Sequence, residues 1–184
     1  MVFNKQRVEA LTDAILAIIM TIMILEVHIP IGDSFHALTK SFIPMIAFTI
    51  SFFSLVNLWM GHHEIFKHVK VVSYSVFWIN MILLFWLSML QVATAWVAEY
   101  PRSVIPQVLF CLVGIGWAFL ISLLSWQTKL VPESTIQPKF PWHDIWRLSY
   151  LWLIGLVLSL FLPYVALLLG IITVFRAAFR LNFV

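Results

Sequence analysis

Apolar segments long enough to cross a lipid bilayer succeed one another along nearly the whole of this chain, and that feature decides most of what it can become. A helix needs about 20 predominantly apolar residues to cross a hydrocarbon core about 30 Å thick. Six segments meet or approach that length: residues 8–29, 39–65, 72–98, 104–128, 145–162 and 163–179. The last two form one apolar run, too long for a single crossing. Pro163 is its natural break, because proline lacks an amide donor and clashes with the preceding turn. The loops between segments are too short to fold by themselves. The expectation is a single membrane domain over residues 1–184, all-α, with six transmembrane helices, or five if the final run crosses once.

Composition agrees. Of 184 residues 62% are hydrophobic, and 11 Lys plus Arg and 8 Asp plus Glu are the only formal charges. A soluble domain runs about 45–50% apolar and about 25% charged; mean hydropathy here is +1.01. The lone cysteine, Cys111, excludes an intrachain disulfide and a multi-cysteine zinc site. The pI of about 9.2 does not point to nucleic acid, since the basic residues are scattered singly in short loops. Lys5 and Arg7 ahead of apolar residues 14–25 imitate a signal peptide. No small-x-small cleavage site follows, only Glu26-Val27-His28-Ile29-Pro30, so this segment is expected to stay in the mature protein.

The cations instead set an orientation. Lys5, Arg7, Lys67, Lys70, Lys129, Lys139, Arg147, Arg176 and Arg180 fall on one side of the six-helix arrangement, and only Lys40 and Arg102 on the other. By the positive-inside rule both termini lie in the cytoplasm, as in a multi-pass protein of the cell membrane.

Ionisable groups within spans are costly and mark function. Asp13 and Glu26 bracket twelve mainly apolar residues, 14–25, too few to face lipid along a full crossing. That suits a helix placed within a bundle or around water, although Asp13 can also act simply as an interfacial cap. On a helical wheel Leu11, Ile15, Ile18, Ile22, Leu25 and Ile29 fall within about 80° of one another, and Asp13 lies about 140° from Ile18. In an all-apolar helix ordinary packing also explains such a stripe.

The second segment ends in Trp59-Met60-Gly61-His62-His63-Glu64-Ile65-Phe66. His63-Glu64 lacks the further histidine that a metalloprotease spacing requires. His62 reads better as a hydrogen-bond partner between helices, or as a proton-sensitive group. Val113-Gly114-Ile115-Gly116 echoes a potassium filter. It follows Leu112 instead of threonine and sits inside a full-length span, so close helix packing is the reading. There is no phosphate-binding glycine loop, no Gly-x-Ser-x-Gly and no carboxylate cluster within the spans, so neither enzyme activity nor a cofactor is expected.

At the first helix the residues become specific. Arg7-Val-Glu-Ala-Leu11-Thr12-Asp13-Ala14, with Ile18, Thr21 and Leu25-Glu26, resembles the Arg-x-x-x-Phe-Ser-Asp signature of the transmembrane protein 175 family. These are potassium-permeable channels of endosomes and lysosomes, with shorter prokaryotic relatives. Trp59-x-x-His62-x-x-x-Phe66 and Asn80 extend the resemblance over the first three helices. Leu11-Thr12-Asp13 replaces Phe-Ser-Asp, and Gln91 stands where the family often has proline.

The resemblance implies a six-helix subunit, four of them around a central pore lined by the first helix, in the lipid bilayer, with potassium as the permeant ion. Ile18, Ile22 and Leu25 match the family's apolar constriction, and Thr21 a nearby threonine implicated in selectivity. Arg7, Thr12 and Asp13 match the signature tying the first helix to the second and third, with His62 and Asn80 as polar partners off the pore. Glu26 can attract cations at the outer mouth. The expected function is a passive potassium-preferring channel with a hydrophobic gate. A proton-coupled secondary transporter using Asp13 and His62 is the alternative, and a scaffold docking partners through its nine tryptophans a weaker one.

Overall fold

The computed structural model describes residues 2–67, 69, 71–130, 140 and 142–180. In chain order its elements are β1 (Val2–Phe3), α1 (Lys5–Ile22) continued by a 3-10 turn (Met23–Glu26), α2 (Phe35–Lys40), α3 (Phe42–Lys67), β2 (Val72–Ser73), α4 (Tyr74–Glu99), α5 (Val104–Lys129), α6 (Trp142–Leu158) and α7 (Val165–Arg180). Apart from the two-residue strands, the regular structure of the described residues is all helix.

Both ends of α1 differ from the sequence expectation of 8–29. Asn4 caps the helix, its side chain accepting from the Arg7 amide at 3.3 Å, so α1 starts at Lys5. Just before the cap, β1 pairs antiparallel with β2, Phe3 opposite Val72, and the Phe3 ring stacks on Phe77 at 4.2 Å. The chain start is thereby pinned to the start of α4. At the other end the helix tightens to 3-10 geometry over Met23–Glu26 and stops before Val27. Proline disfavours helical geometry in the residue before it, here Ile29, and Gly32 then takes the positive φ of 110° that the turn needs. At about 1.5 Å per α residue and about 2.0 Å per 3-10 residue, Lys5–Glu26 still rises about 35 Å.

Among the described residues four helices are long and apolar enough to cross a membrane: Lys5–Glu26, Phe42–Lys67, Tyr74–Glu99 and Val104–Lys129. The last two helices are shorter than the expected 145–162 and 163–179 in sum. α6 has 17 residues and α7 has 16, about 25 Å each, because residues 159–164 are spent on turns. Tyr164 holds a left-handed φ of 65°. Its amide donates to the Pro101 carbonyl, and its hydroxyl accepts from Arg102 Nε at 2.9 Å. Gln107, fully buried on α5, accepts from the Ala166 amide in the first turn of α7. The break thus begins four residues ahead of Pro163 and is fixed by groups from the neighbouring loop and helix.

The core lies where α4 packs on α5, α5 on α6, and α3 on α7. Leu83, Leu87, Phe110, Val113 and Leu124 are among its fully buried side chains. The Val113–Gly116 motif is uninterrupted α-helix. A Cβ at Gly114 would run into the Trp152 ring, and one at Gly116 into Trp86. Trp86 also donates its indole N–H to the Val113 carbonyl at 3.0 Å. These glycines seat tryptophans from both neighbours, the packing use expected of them.

Candidate pore helix

α1 buries one narrow stripe: Val8, Thr12, Leu16, Ile19 and then Met23, spaced four, four, three and four residues apart. That spacing keeps them on one side of a helix. Thr12 is the polar member, and it is 0% exposed. A buried hydroxyl or amide without a partner costs about 1–3 kcal/mol, and here every group has one. Thr12 Oγ1 donates to the Val8 carbonyl at 2.9 Å, and Asn80 Nδ2 donates to Thr12 Oγ1 at 2.8 Å. His62 Nε2 lies 2.9 Å from Asn80 Oδ1. An amide oxygen only accepts, so His62 carries its proton on Nε2 and donates.

The result is a one-way chain of hydrogen bonds, α3 to α4 to α1, ending on α1's own backbone. Bonds in such a chain polarise one another. His62 is 3% exposed, Asn80 is 0% exposed, and the imidazole also stacks on Phe66 at 4.3 Å. A second buried bond, Ser51 to Thr94 at 2.7 Å, ties α3 to α4 again. The Thr94 hydroxyl gives its proton to the Leu90 carbonyl, so Ser51 is the donor.

Asp13, next to Thr12, accepts from the Trp59 indole N–H at 2.8 Å. Trp59 and His62 are three residues apart on α3, so both meet α1 from one face of that helix. The structure therefore brings Thr12, Asp13, His62 and Asn80 into one junction. Trp59 belongs there too, and the sequence reading had it only as part of a motif. Its signal was the indole donor, which needs an acceptor when it packs between helices. Arg7 is not part of the junction. It is exposed beside a shallow cleft with Asn4 and Phe77, and its side chain makes no ion pair or hydrogen bond with a described residue.

The remaining candidates all sit on the uncovered side of α1. Ile18 is 54% and Leu25 75% exposed, and Leu11, Ile22, Thr21 and Glu26 are exposed as well. Asp13 shares this uncovered side, which spans more than half the helix circumference. Ala10, Ala14 and Ala17 lie on it too. Thr21 Oγ1 donates to the Ala17 and Ile18 carbonyls at 2.9 and 3.0 Å. With its proton committed inward, the oxygen turns lone pairs outward, the polarity a cation requires. Of the cations that set the orientation, Lys70 and Lys139 lie outside the described residues.

Comparison with known proteins places this arrangement. The family model described as the endosomal/lysosomal potassium channel TMEM175 matches residues 7–90, the stretch holding α1, α3 and most of α4. A potassium channel from Chryseobacterium sp. (strain P1-3) is 33% identical over 168 residues, covering 89% of this chain and 87% of that one. The chain belongs to the TMEM175 family of potassium channels. The human endosomal/lysosomal proton channel TMEM175 is 28% identical over 152 residues, and the matched part is only 30% of its length. The fold is also that of a solved structure. The crystal structure of a lysosomal potassium-selective channel TMEM175 homolog from Chamaesiphon minutus superposes with a TM-score of 0.75 at 22% identity, covering 96% of this chain and 97% of that one. The junction of Thr12, Asp13, Trp59, His62 and Asn80 falls wholly within the stretch that the TMEM175 family model matches. As a member of a channel family, this multi-pass membrane protein is a potassium channel and not an enzyme.

Proposed function

We propose that four copies of this chain surround a central pore lined by α1, each crossing the cell membrane six times with both termini in the cytoplasm. Potassium passes it in preference to sodium through a hydrophobic constriction of Ile18, Ile22 and Leu25. The observation that carries this reading is the uncovered face of α1. It mixes branched aliphatic residues with alanines, Asp13, Thr21 and Glu26, and lipid is a poor solvent for such a surface. A chain of this size encloses no wide pore alone, so the pore needs a closed ring of copies. The family resemblance supplies the number four.

Rings of Ile18 and Leu25, two turns apart, form an apolar neck that empties of water when narrow, and an ion does not leave water cheaply. A small outward shift of α1 rewets the neck. Thr21, between the rings, offers its outward lone pairs in place of part of the ion's water shell. Glu26, at the outer end, raises the local cation concentration. The junction at Thr12 and Asp13 sets the height and rotation of α1, and therefore the radius of the neck.

Flux from liposomes holding the purified protein tests this, with potassium and sodium gradients compared and a pH dye reporting protons. Potassium flux should exceed sodium flux. Ile18→Asn and Leu25→Asn should each raise flux about tenfold, equivalent to removing about 1.4 kcal/mol of barrier, and narrow the potassium preference. Unchanged flux in both variants removes these residues from the constriction.

A further inference from the structure

On the far side of α3 from α1, a half-open cleft of about 110 Å³ is lined by α3, α5, α6 and α7. One water needs about 10–15 Å³ of such space, so a small polyatomic group fits. Its polar lining is Ser54 and Asn57 on α3, Trp117 on α5, Arg147 on α6, and Thr173 and Arg176 on α7. Two guanidinium groups line it and, among the described residues, no carboxylate does.

Ser54 and Thr173 give their protons to the carbonyls of Ile50 and Gly170. The Asn57 amide and the Trp117 indole N–H donate to no described residue. Arg176 spends one donor on the Tyr150 hydroxyl at 2.7 Å and lies over that ring at 5.0 Å; no described carboxylate pairs with it. Arg147 has Asp144 at 3.7 Å, both about half exposed, a weak pairing in water. An arginine between membrane helices without a carboxylate is expensive. Arg176 has none among the described residues, Arg147 has only the half-exposed Asp144, and both line the cleft with spare N–H donors. Guanidinium forks match phosphate oxygens two at a time.

In the orientation proposed above, the cleft lies in the cytoplasmic half of the molecule. Asn57, Arg147 and Arg176 sit toward the helix ends that carry Lys67 and Lys129, where α3 and α5 finish and α6 begins. A basic pocket between helices on the cytoplasmic side is a place for anionic headgroups. We propose that this cleft binds a phosphate group, either the phosphodiester of an anionic phospholipid of the inner leaflet or a free phosphate, held by Arg147, Arg176, Asn57 and Trp117.

Binding tests it without reference to ion conduction. The full chain is reconstituted in phosphatidylcholine vesicles doped with phosphatidylglycerol, re-extracted, and its retained phosphatidylglycerol counted per chain by mass spectrometry. In parallel, thermal unfolding of the detergent-purified chain is followed with inorganic phosphate and with chloride. Lys67→Gln, which removes one exposed charge at the same end, is the control. Retention of phosphatidylglycerol should fall at least about tenfold in Arg147→Gln and in Arg176→Gln but stay at the wild-type level in Lys67→Gln. Arg176→Lys should retain an intermediate amount. Stabilisation by inorganic phosphate without lipid retention, lost in the same arginine variants, assigns the same site to a free anion. Should Arg176→Gln fail to fold, Arg147→Gln, at an exposed position, carries the test. Equal loss in Lys67→Gln, or no preference for either phosphate probe in the wild type, overturns the proposal.

Discussion

α1 and α4 both leave one face uncovered by the rest of the chain, and the two faces are built differently. α4 exposes Trp78, Ile82, Phe85, Met89, Val92 and Trp96, spaced alternately four and three residues apart as one unbroken stripe. All six are bulky and apolar. The two tryptophans stand 18 residues apart, about 27 Å at 1.5 Å per residue, close to the thickness of the hydrocarbon core. Tryptophans at both interfaces with aliphatic and aromatic bulk between them are what lipid selects. α1 and its 3-10 continuation contain no aromatic residue between Lys5 and Glu26. Their uncovered face carries alanines, a carboxylate and a hydroxyl among the isoleucines. Helices of similar hydropathy can therefore face different surroundings, and what separates them is side-chain size and the position of a few polar atoms.

A lysine placed on each face exploits that difference most strongly. Phe85→Lys puts a charge against mid-membrane lipid at an insertion cost of about 2.5–3.5 kcal/mol, so membrane-inserted protein should fall steeply. Ala14→Lys, on the α1 face beside the Ile18 and Leu25 line, should insert at the wild-type level and abolish potassium flux, since a ring of cations would block the pore. Inserted protein is measured by extraction and protease protection, and flux in liposomes. Equal insertion losses in the two variants would mean that α1 faces lipid.

The sequence made the existence of these helices legible and left their faces open. Hydropathy located α3, α4 and α5 to within a few residues because each is a long apolar run bounded by charged or turn residues. It gave no rule for which side of α1 is buried. Val8, Thr12, Leu16, Ile19 and Met23 pack inward, but the Leu11–Ile18–Leu25 side is just as apolar, so amphipathicity carries no signal there. Asp13 and His62 stand out as costly polar residues in apolar surroundings, while Thr12 and Asn80 enter only through the family resemblance, which groups all four. The Asp13–Trp59 bond joins residues 46 apart in sequence, which no local pattern records. The six-residue turn 159–164 was missed for a related reason. Its Leu160, Phe161 and Leu162 are as apolar as a span, while the groups that define the turn, Arg102 and Gln107, come from elsewhere in the chain.

A truncation on each side of α4 is the next test in size. Asn80→Ala strips a buried amide from between His62 and Thr12 and leaves their partner groups unsatisfied. It should destabilise the folded chain by about 1–3 kcal/mol, the lower part of that range being usual for interhelical bonds in a bilayer. Met89→Ala, on the other side of α4, should cost well under about 1 kcal/mol, because lipid tails fill the space as well as the side chain did. Denaturant unfolding of both variants in mixed micelles reads the difference. A Met89→Ala loss as large as that of Asn80→Ala would show that the stripe on α4 packs against another subunit rather than lipid.

Thr21→Val carries the comparison to its finest grain, because valine matches threonine in shape and removes one oxygen. On a lipid-facing helix the change would be neutral or slightly favourable, since the hydroxyl donates only to its own helix backbone at Ala17 and Ile18. On a pore-lining helix it removes outward lone pairs from every subunit at one level of the neck. A hydrogen-bond-sized interaction of about 1 kcal/mol corresponds to about fivefold. The ratio of potassium to sodium flux should therefore fall several-fold, while protein level and thermal stability stay at wild-type values. Serine in the same place should keep the ratio, as it retains the hydroxyl and loses only a methyl. A fall in Thr21→Ser as large as in Thr21→Val would trace the effect to packing and leave the oxygen without a part in choosing the ion.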